Sequence, residues 1–279
     1  MLSENHDSAT LISIQACYKS NSMNFNGKTI LITGGSSGIG YELAKQLLAK
    51  GSTVIICGRR AHKLEAAKKA LPQLITFTCD VADKEQRRSL NGYCMEYHPE
   101  VSILINNAGI QRVVDYRLGE SDYPDGESEV AINLEAPLHL TALFVPHLMK
   151  QKESAVVNVS SGLGIVPLVV APVYSATKAA LHSFSISLRR QLEGTSVKVF
   201  EILPPIVETE LHHAAKERRG PMPKGISPEK VAMDSIKAME KDQYEISIGI
   251  NKMLTIGARI SPGLFLNLIN KKPPSGSKG

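Results

Sequence analysis

Residues 28–51 read KTILITGGSSGIGYELAKQLLAKG, and the order of features in that run decides the fold. A β-branched apolar run predicts a buried strand. Gly34, Gly35, Gly38 and Gly40 then predict a tight turn, and an amphipathic helix follows, closed by Gly51. Glycines at a strand-to-helix turn let the backbone bend sharply and let an anion approach the first helical turn, where free N–H groups and the helix dipole favour negative charge. Outward from this unit the chain alternates. STVIICGRR, LITFTCD, VSILINN, SAVVNVS, SVKVFEIL and YEISIGI read as strands, with helical stretches between them. The expected architecture is α/β, a single doubly wound, Rossmann-type parallel sheet of about seven strands with helices on both faces.

A second stretch carries candidate chemistry. In SSGLGIVPLVVAPVYSATK, residues 160–178, Tyr174 and Lys178 are four apart on a predicted helix and share a face. An ammonium beside a phenol shifts the phenol pKa, about 10 when unperturbed, downwards and towards usefulness as an acid/base. Ser161 ends a predicted strand thirteen residues earlier. A strand end facing the start of the next helix can bring a hydroxyl and a phenol to one small oxygen atom, a carbonyl or an alcohol. Taken alone, Tyr-x-x-x-Lys is common on solvated helices. LGIVPLVVAPV, between the two, reads either as an apolar substrate wall or as core.

Four features in order, Thr33-Gly34-x-x-x-Gly38-x-Gly40, Asn106-Asn107-Ala108-Gly109, Ser161 and Tyr174-x-x-x-Lys178, resemble the short-chain dehydrogenase/reductase family over roughly residues 27–250. CGRR, LHSFS and PPIVET look closest to a bacterial branch, the DltE-like one, associated with D-alanylation of teichoic acids. The resemblance implies a nicotinamide cofactor held by Gly34, Ser36, Ser37, Gly38, Ile39 and Gly40, with Asp80 and Val81 at the adenine. It places Asn107, Ala108 and Gly109 beside the nicotinamide ribose, and Val207 and Thr209 on the carboxamide. It makes Asn133, Ser161, Tyr174 and Lys178 the catalytic set: Tyr174 moves the proton, Ser161 orients the oxygen, Lys178 lowers the Tyr pKa and grips the ribose, and Asn133 completes a proton relay. Pro205 stands where the family has Gly, which softens the assignment of Val207 and Thr209. Asp80 reads equally as the cap of the helix ADKEQRRSLNGYCMEY.

The second strand ends in Gly58, Arg59 and Arg60, where a ribose-binding fold often carries an acid. A guanidinium pairs with a 2′-phosphate, and the local sequence offers no carboxylate to oppose it, so NADP(H) is expected over NAD(H). The plain alternative is two surface arginines at a helix start.

Composition sets the frame. The 279 residues are 43% hydrophobic, enough for one large core, and carry a net charge of +5 from 32 basic and 27 acidic residues, scattered rather than blocked. With six Phe and eight Tyr, this is a mildly basic surface and no nucleic-acid footprint. Cys17, Cys57, Cys79 and Cys94 form no C-x-x-C pair and read as reduced thiols. No apolar run is long enough to span a membrane and the start lacks a signal-peptide pattern, so a cytoplasmic location is expected. Residues 1–26 read as a flexible extension, 27–250 as the catalytic domain with a mobile lid near 208–225, and 251–279 as C-terminal apolar helices and a flexible tail. That C-terminal segment reads as core packing or a dimer contact, with an interfacial membrane helix as the alternative. His212 and His213 are adjacent and make a poor metal clamp, so no metal is expected. Pro137 and Pro146 are expected to kink the helix that contains Asn133. The resemblance also implies a homodimer or homotetramer pairing through the helices of Asn133 and Tyr174. The expected activity is interconversion of a carbonyl and an alcohol on a small, hydrophobic substrate. The rival readings are a cofactor-binding regulatory or scaffold protein with little turnover, which the full Ser-Tyr-Lys set disfavours, and a sugar-nucleotide epimerase, whose extra domain is not seen.

Overall fold

A computed structural model describes residues 22–212 and 224–270. Seven parallel strands form one sheet: β1 (Thr29–Thr33), β2 (Thr53–Gly58), β3 (Ile75–Thr78), β4 (Val101–Asn106), β5 (Ser154–Val159), β6 (Val197–Leu203) and β7 (Glu245–Ser247), in the order β3-β2-β1-β4-β5-β6-β7. Every pair is parallel, as βαβ crossovers require. The helices are α1 (Gly38–Ala49), α2 (Ala61–Ala70), α3 (Lys84–Tyr97), α4 (Ala136–Leu148), α5 (Pro172–Gln191), α6 (Pro228–Met239), α7 (Asn251–Ile260) and α8 (Pro262–Ile269).

Period-two alternation sorts each strand between two cores. Ile30, Ile32, Val54, Ile56, Ile103, Ile105, Val157 and Phe200 face one side, against α1, α2 and α6. Leu31, Ile55, Cys57, Leu104, Val156 and Val199 face the other, against α3, α4 and α5. Strands buried on both faces read as unbroken apolar runs, which is why TILIT and SILIN announce themselves in sequence. The chain leaves β1 towards β2 on one side and reaches β4 on the other, so a crevice opens at the carboxyl ends of β1 and β4.

Two local expectations are resolved here. Pro137 lies inside a continuous helical run, with Val130, Glu135 and Ala136 all in helical torsions, and the turn just before it widens into a π turn over Ala131–Glu135 that holds Asn133, the local irregularity expected where a proline cannot donate its N–H. The cap of α3 is Asp83, which accepts from the Glu85 and Gln86 amides at 2.7 and 3.0 Å, whereas Asp80 closes a turn onto the Ala82 amide at 2.9 Å. The flexible extension expected over 1–26 is corrected at its end, where Met23 and Phe25 are buried in the core; its part up to residue 21, with Cys17, and His213, the lid over 213–223 and the tail from 271 lie outside the described residues. Cys57, Cys79 and Cys94 are buried free thiols.

Candidate active site

The crevice is built where the first strand hands over to its glycine turn. Gly34 and Gly38 take the left-handed backbone conformation, with φ of 63° and 57°. The packing forbids side chains as firmly as the torsions do. A Cβ on Gly34 would lie 2.9 Å from the Ala108 Cα, and one on Gly40 would lie 2.4 Å from the Asn107 amide nitrogen. Asn107 is the rivet between β1 and β4: its Nδ2 donates to the carbonyls of Thr33 and Gly34 at 2.9 and 3.1 Å, while the Thr33 hydroxyl accepts the amides of Asn107 and Ala108 at 3.0 Å. Ser37, at the cap position of α1, leaves the first-turn amides without a side-chain acceptor. Amide donors at a helix start suit a pyrophosphate, and so a dinucleotide.

The turn opens into a cavity of about 1000 Å³. Of the sequence-predicted cofactor residues, Gly34, Ser36, Ser37, Gly38, Ile39, Arg59, Arg60, Asp80, Val81, Asn107, Ala108, Gly109, Val207 and Thr209 line it, as do Ser161, Tyr174 and Lys178. Gly40 lies behind the wall, against Asn107. Asn133 is also set back: fully buried, its amide accepts from the Ile110 amide at 2.9 Å and donates to the Ile110 carbonyl at 2.9 Å, clamping the strip that follows Gly109. Pro205 packs near Gly249, and the chain beyond it is fixed by bonds between Glu208 and Ile226 (3.0 Å) and Ile226 and Ile206 (3.0 Å), so Val207 and Thr209 still reach the crevice. Thr209 sits against Gly38.

Ser161 follows β5, and a 3-10 turn over Gly162–Gly164 carries the chain towards α5. Its hydroxyl accepts from the Leu163 amide at 3.1 Å, and it lies near enough to Tyr174 to favour the phenolate. Glycine is required here for closeness: a Cβ on Gly164 would meet the Lys178 carbonyl at 2.8 Å, and one on Gly162 would strike Asn251 at 2.4 Å. Lys178 is buried, donates from Nζ to the Val159 carbonyl at 2.9 Å, and places that nitrogen 5.6 Å from the Tyr174 ring centroid. The downward shift expected of the phenol is not what this geometry gives. Burial pushes Tyr174 up to about 12, against the opposing Ser161 hydroxyl and with the Glu129 carboxylate adding to the rise. Burial likewise brings Lys178 down to about 8. Each group is desolvated, and the ammonium spends a hydrogen bond on Val159 rather than on the phenol.

The chain matches the short chain dehydrogenase family over residues 28–220. It belongs to that family. Within this family of oxidoreductases it is 48% identical, over 226 residues, to the Bacillus subtilis (strain 168) protein called Uncharacterized oxidoreductase DltE, covering 81% of this chain and 89% of that one, in agreement with the branch expected from CGRR, LHSFS and PPIVET. A short chain dehydrogenase from Burkholderia cenocepacia J2315, solved in complex with NADP, superimposes with a TM-score of 0.77 at 25% identity, over 90% of this chain and 100% of that one. A family member from Burkholderia phymatum, solved with NAD, matches in fold with a TM-score of 0.74 at 20% identity, over 92% and 99% of the two chains.

Sequence reasoning missed the carboxylates. Arg59 pairs with Glu127, and Arg60 and Lys63 pair with Glu210 at 3.0 and 2.7 Å. The statement that no carboxylate opposes the arginines is therefore corrected: the fold delivers two, from positions 68 and 150 residues away. Ser160, Glu201 and His182 were missed as well. The Ser160 hydroxyl donates to Glu201 at 2.5 Å, and His182 Nδ1 meets the other carboxylate oxygen at 2.8 Å, with Glu201 fully buried beneath Lys178. A polar residue inside the apolar run VKVFEIL was the one available signal.

Proposed function

We propose that this protein is an NADP(H)-dependent oxidoreductase that interconverts a carbonyl and an alcohol on a small, hydrophobic substrate. One arrangement carries the reading: Ser161, Tyr174 and Lys178 line the same cavity as the glycine turn, with Lys178 one helical turn beyond Tyr174. The bound cofactor would supply the hydride; everything else falls to the chain. The phenolic oxygen of Tyr174 gives or takes the proton on the substrate oxygen, the Ser161 hydroxyl orients that oxygen, and Lys178, charged below its pKa of about 8, opposes the cost of a buried phenolate. Asn133 acts at one remove by fixing Ile110. Arg59 and Arg60 at the mouth of the cavity suit a 2′-phosphate. The hydrophobic substrate is supported by the lining near Tyr174, where Leu163, Leu211 and Ile269 face the cavity. Of LGIVPLVVAPV, Leu163 alone borders that space, while Leu168, Val170 and Ala171 pack in the buried cluster behind it.

The test is NADPH consumption, followed spectroscopically, across ketones and aldehydes of increasing apolar bulk. Wild type turns over, with preference for the bulkier apolar members, and Tyr174→Phe loses at least ~10²-fold in kcat. Equal turnover by the variant would falsify this role for the phenol.

A further inference from the structure

Two short helices, α7 and α8, carry an apolar face that no other described residue covers. On α7, Met253, Ile256 and Ile260 are 68%, 64% and 80% exposed, and Ile250 just before it is exposed as well. Their spacing places them on one side of the helix, while Asn251, Leu254 and Thr255 on the opposite side are buried. Leu264 and Leu268 extend the exposed surface along α8, in which no residue is buried. The two helices are joined tightly, for a Cβ on Gly257 would fall inside the Phe265 ring, so the face is continuous. Exposed large apolar residues scattered singly need no explanation; a face of six on consecutive helices does.

Charge says what covers it. After Glu245 the sequence contains no Asp or Glu and carries Lys252, Arg259, Lys271, Lys272 and Lys278. The 32 basic residues less these five leave 27, against 27 acidic ones, so the whole net charge of +5 belongs to this segment and the rest of the chain is neutral. An apolar helical face on a segment whose sequence carries uncompensated positive charge is complementary to acyl chains beneath anionic headgroups. A second copy of the chain would instead bring two positive segments together. The segments are too short to cross a bilayer: among the described residues no helix is long and apolar enough to do so. We propose that α7 and α8 dock this protein on an anionic lipid surface, the exposed isoleucines and leucines seated among the acyl chains. Ile250, Leu268 and Ile269 also line the rim of the cavity, so the docked chain would open its pocket onto the lipid.

The proposal stands apart from the reductase reading, because its test needs no turnover. The full chain is sedimented with sucrose-loaded vesicles of phosphatidylcholine alone or with about one third phosphatidylglycerol, at low and physiological salt, and its oligomeric state is measured in parallel by analytical ultracentrifugation. The expected result is at least ~10-fold stronger partitioning to the anionic vesicles, weakened by salt, with a ~10-fold loss in Ile256→Glu/Ile260→Glu and a smaller loss in Lys271→Ala/Lys272→Ala. The substituted isoleucines are exposed, so circular dichroism melting should be unchanged. No binding to anionic vesicles, or binding indifferent to the isoleucine variant, overturns the proposal. A wild-type oligomer that dissociates in that variant also overturns it, by assigning the face to another copy of the chain.

Discussion

Lys178 is the residue at which stability and chemistry pull apart. It is only 4% exposed, and burial lowers its pKa from 10.5 to about 8. The sign follows from proton counting. Between about pH 8 and 10.5 the unfolded chain binds a proton at this site that the folded chain does not, so stability rises with pH across that window, and below it the full cost of burying the charge is present. At about 1.4 kcal/mol per pKa unit the cost is about 3 kcal/mol, offset by about 1 kcal/mol for the hydrogen bond to Val159. Lys178→Met is therefore expected to stabilise the protein by about 2 kcal/mol near neutral pH, with the advantage shrinking towards pH 10.5. Urea unfolding at pH 7 and pH 10 measures it; a variant less stable than wild type at pH 7 would show that the lysine's contacts outweigh its desolvation. The charge of fully buried Glu201 favours the ammonium, and Ser160 and His182 hold that carboxylate in place. Tyr174 and Lys178 were legible because their i, i+4 spacing needs only a helix. Burial, which sets both pKa values, needs the whole fold.

At the scale of elements, the piece that stiffens the crevice where β3 ends, beside Asp80 and Val81, is Arg87 of α3. Fully buried, it donates to the Val81 carbonyl at 2.6 Å, to His139 Nδ1 at 2.9 Å and to Glu135 at 2.8 Å, tying the loop after β3 to the start of α4. Arg87→Ala leaves the Val81 and Ala82 carbonyls and His139 without their donor, while Glu135, 59% exposed, turns to water, and is expected to cost about 2–3 kcal/mol, read as a lower denaturant midpoint. A loss under about 1 kcal/mol would mean that water replaces the guanidinium at little cost. The same contact makes a pH signature. His139 must offer a lone pair to Arg87, and burial together with that cation lowers its pKa below 6.5. The unfolded chain thus takes up a proton first, and this contribution to stability, present above pH 6.5, is lost as the pH falls through the lower folded-state value. Strands and helices themselves were readable, because two buried faces leave long apolar runs and amphipathic periods. The π turn at Asn133 was not, since the pattern of apolar residues around it is that of ordinary helix.

Across the whole molecule, the mouth of the crevice is held by ion pairs between distant segments: Arg59 with Glu127, and Arg60 and Lys63 with Glu210. These side chains are about two-fifths exposed, so as structural bridges they contribute little. Their consequence is for binding. A 2′-phosphate must compete with Glu127 and Glu210 for the same guanidinium groups, whereas a ribose hydroxyl need not. Glu127→Gln/Glu210→Gln is expected to tighten NADPH roughly 5- to 10-fold at low salt and leave NADH within about 2-fold, by fluorescence titration, with the gap closing as salt rises. An equal gain for both cofactors would mean that the carboxylates repel the common pyrophosphate and have no part in discrimination.

The sequence by itself determined the order of strands and helices, the glycine turn and the set of residues able to do the chemistry, because each of these is written in local spacing: two for strands, between three and four for helices, and glycine where the backbone must turn. Only the tertiary structure decided how those residues are charged and opposed. The environment of a side chain is a sum over neighbours from everywhere in the chain, such as Glu201 under Lys178, Glu127 across from Arg59, or an uncovered row of isoleucines beside the pocket, and no window of sequence contains that sum.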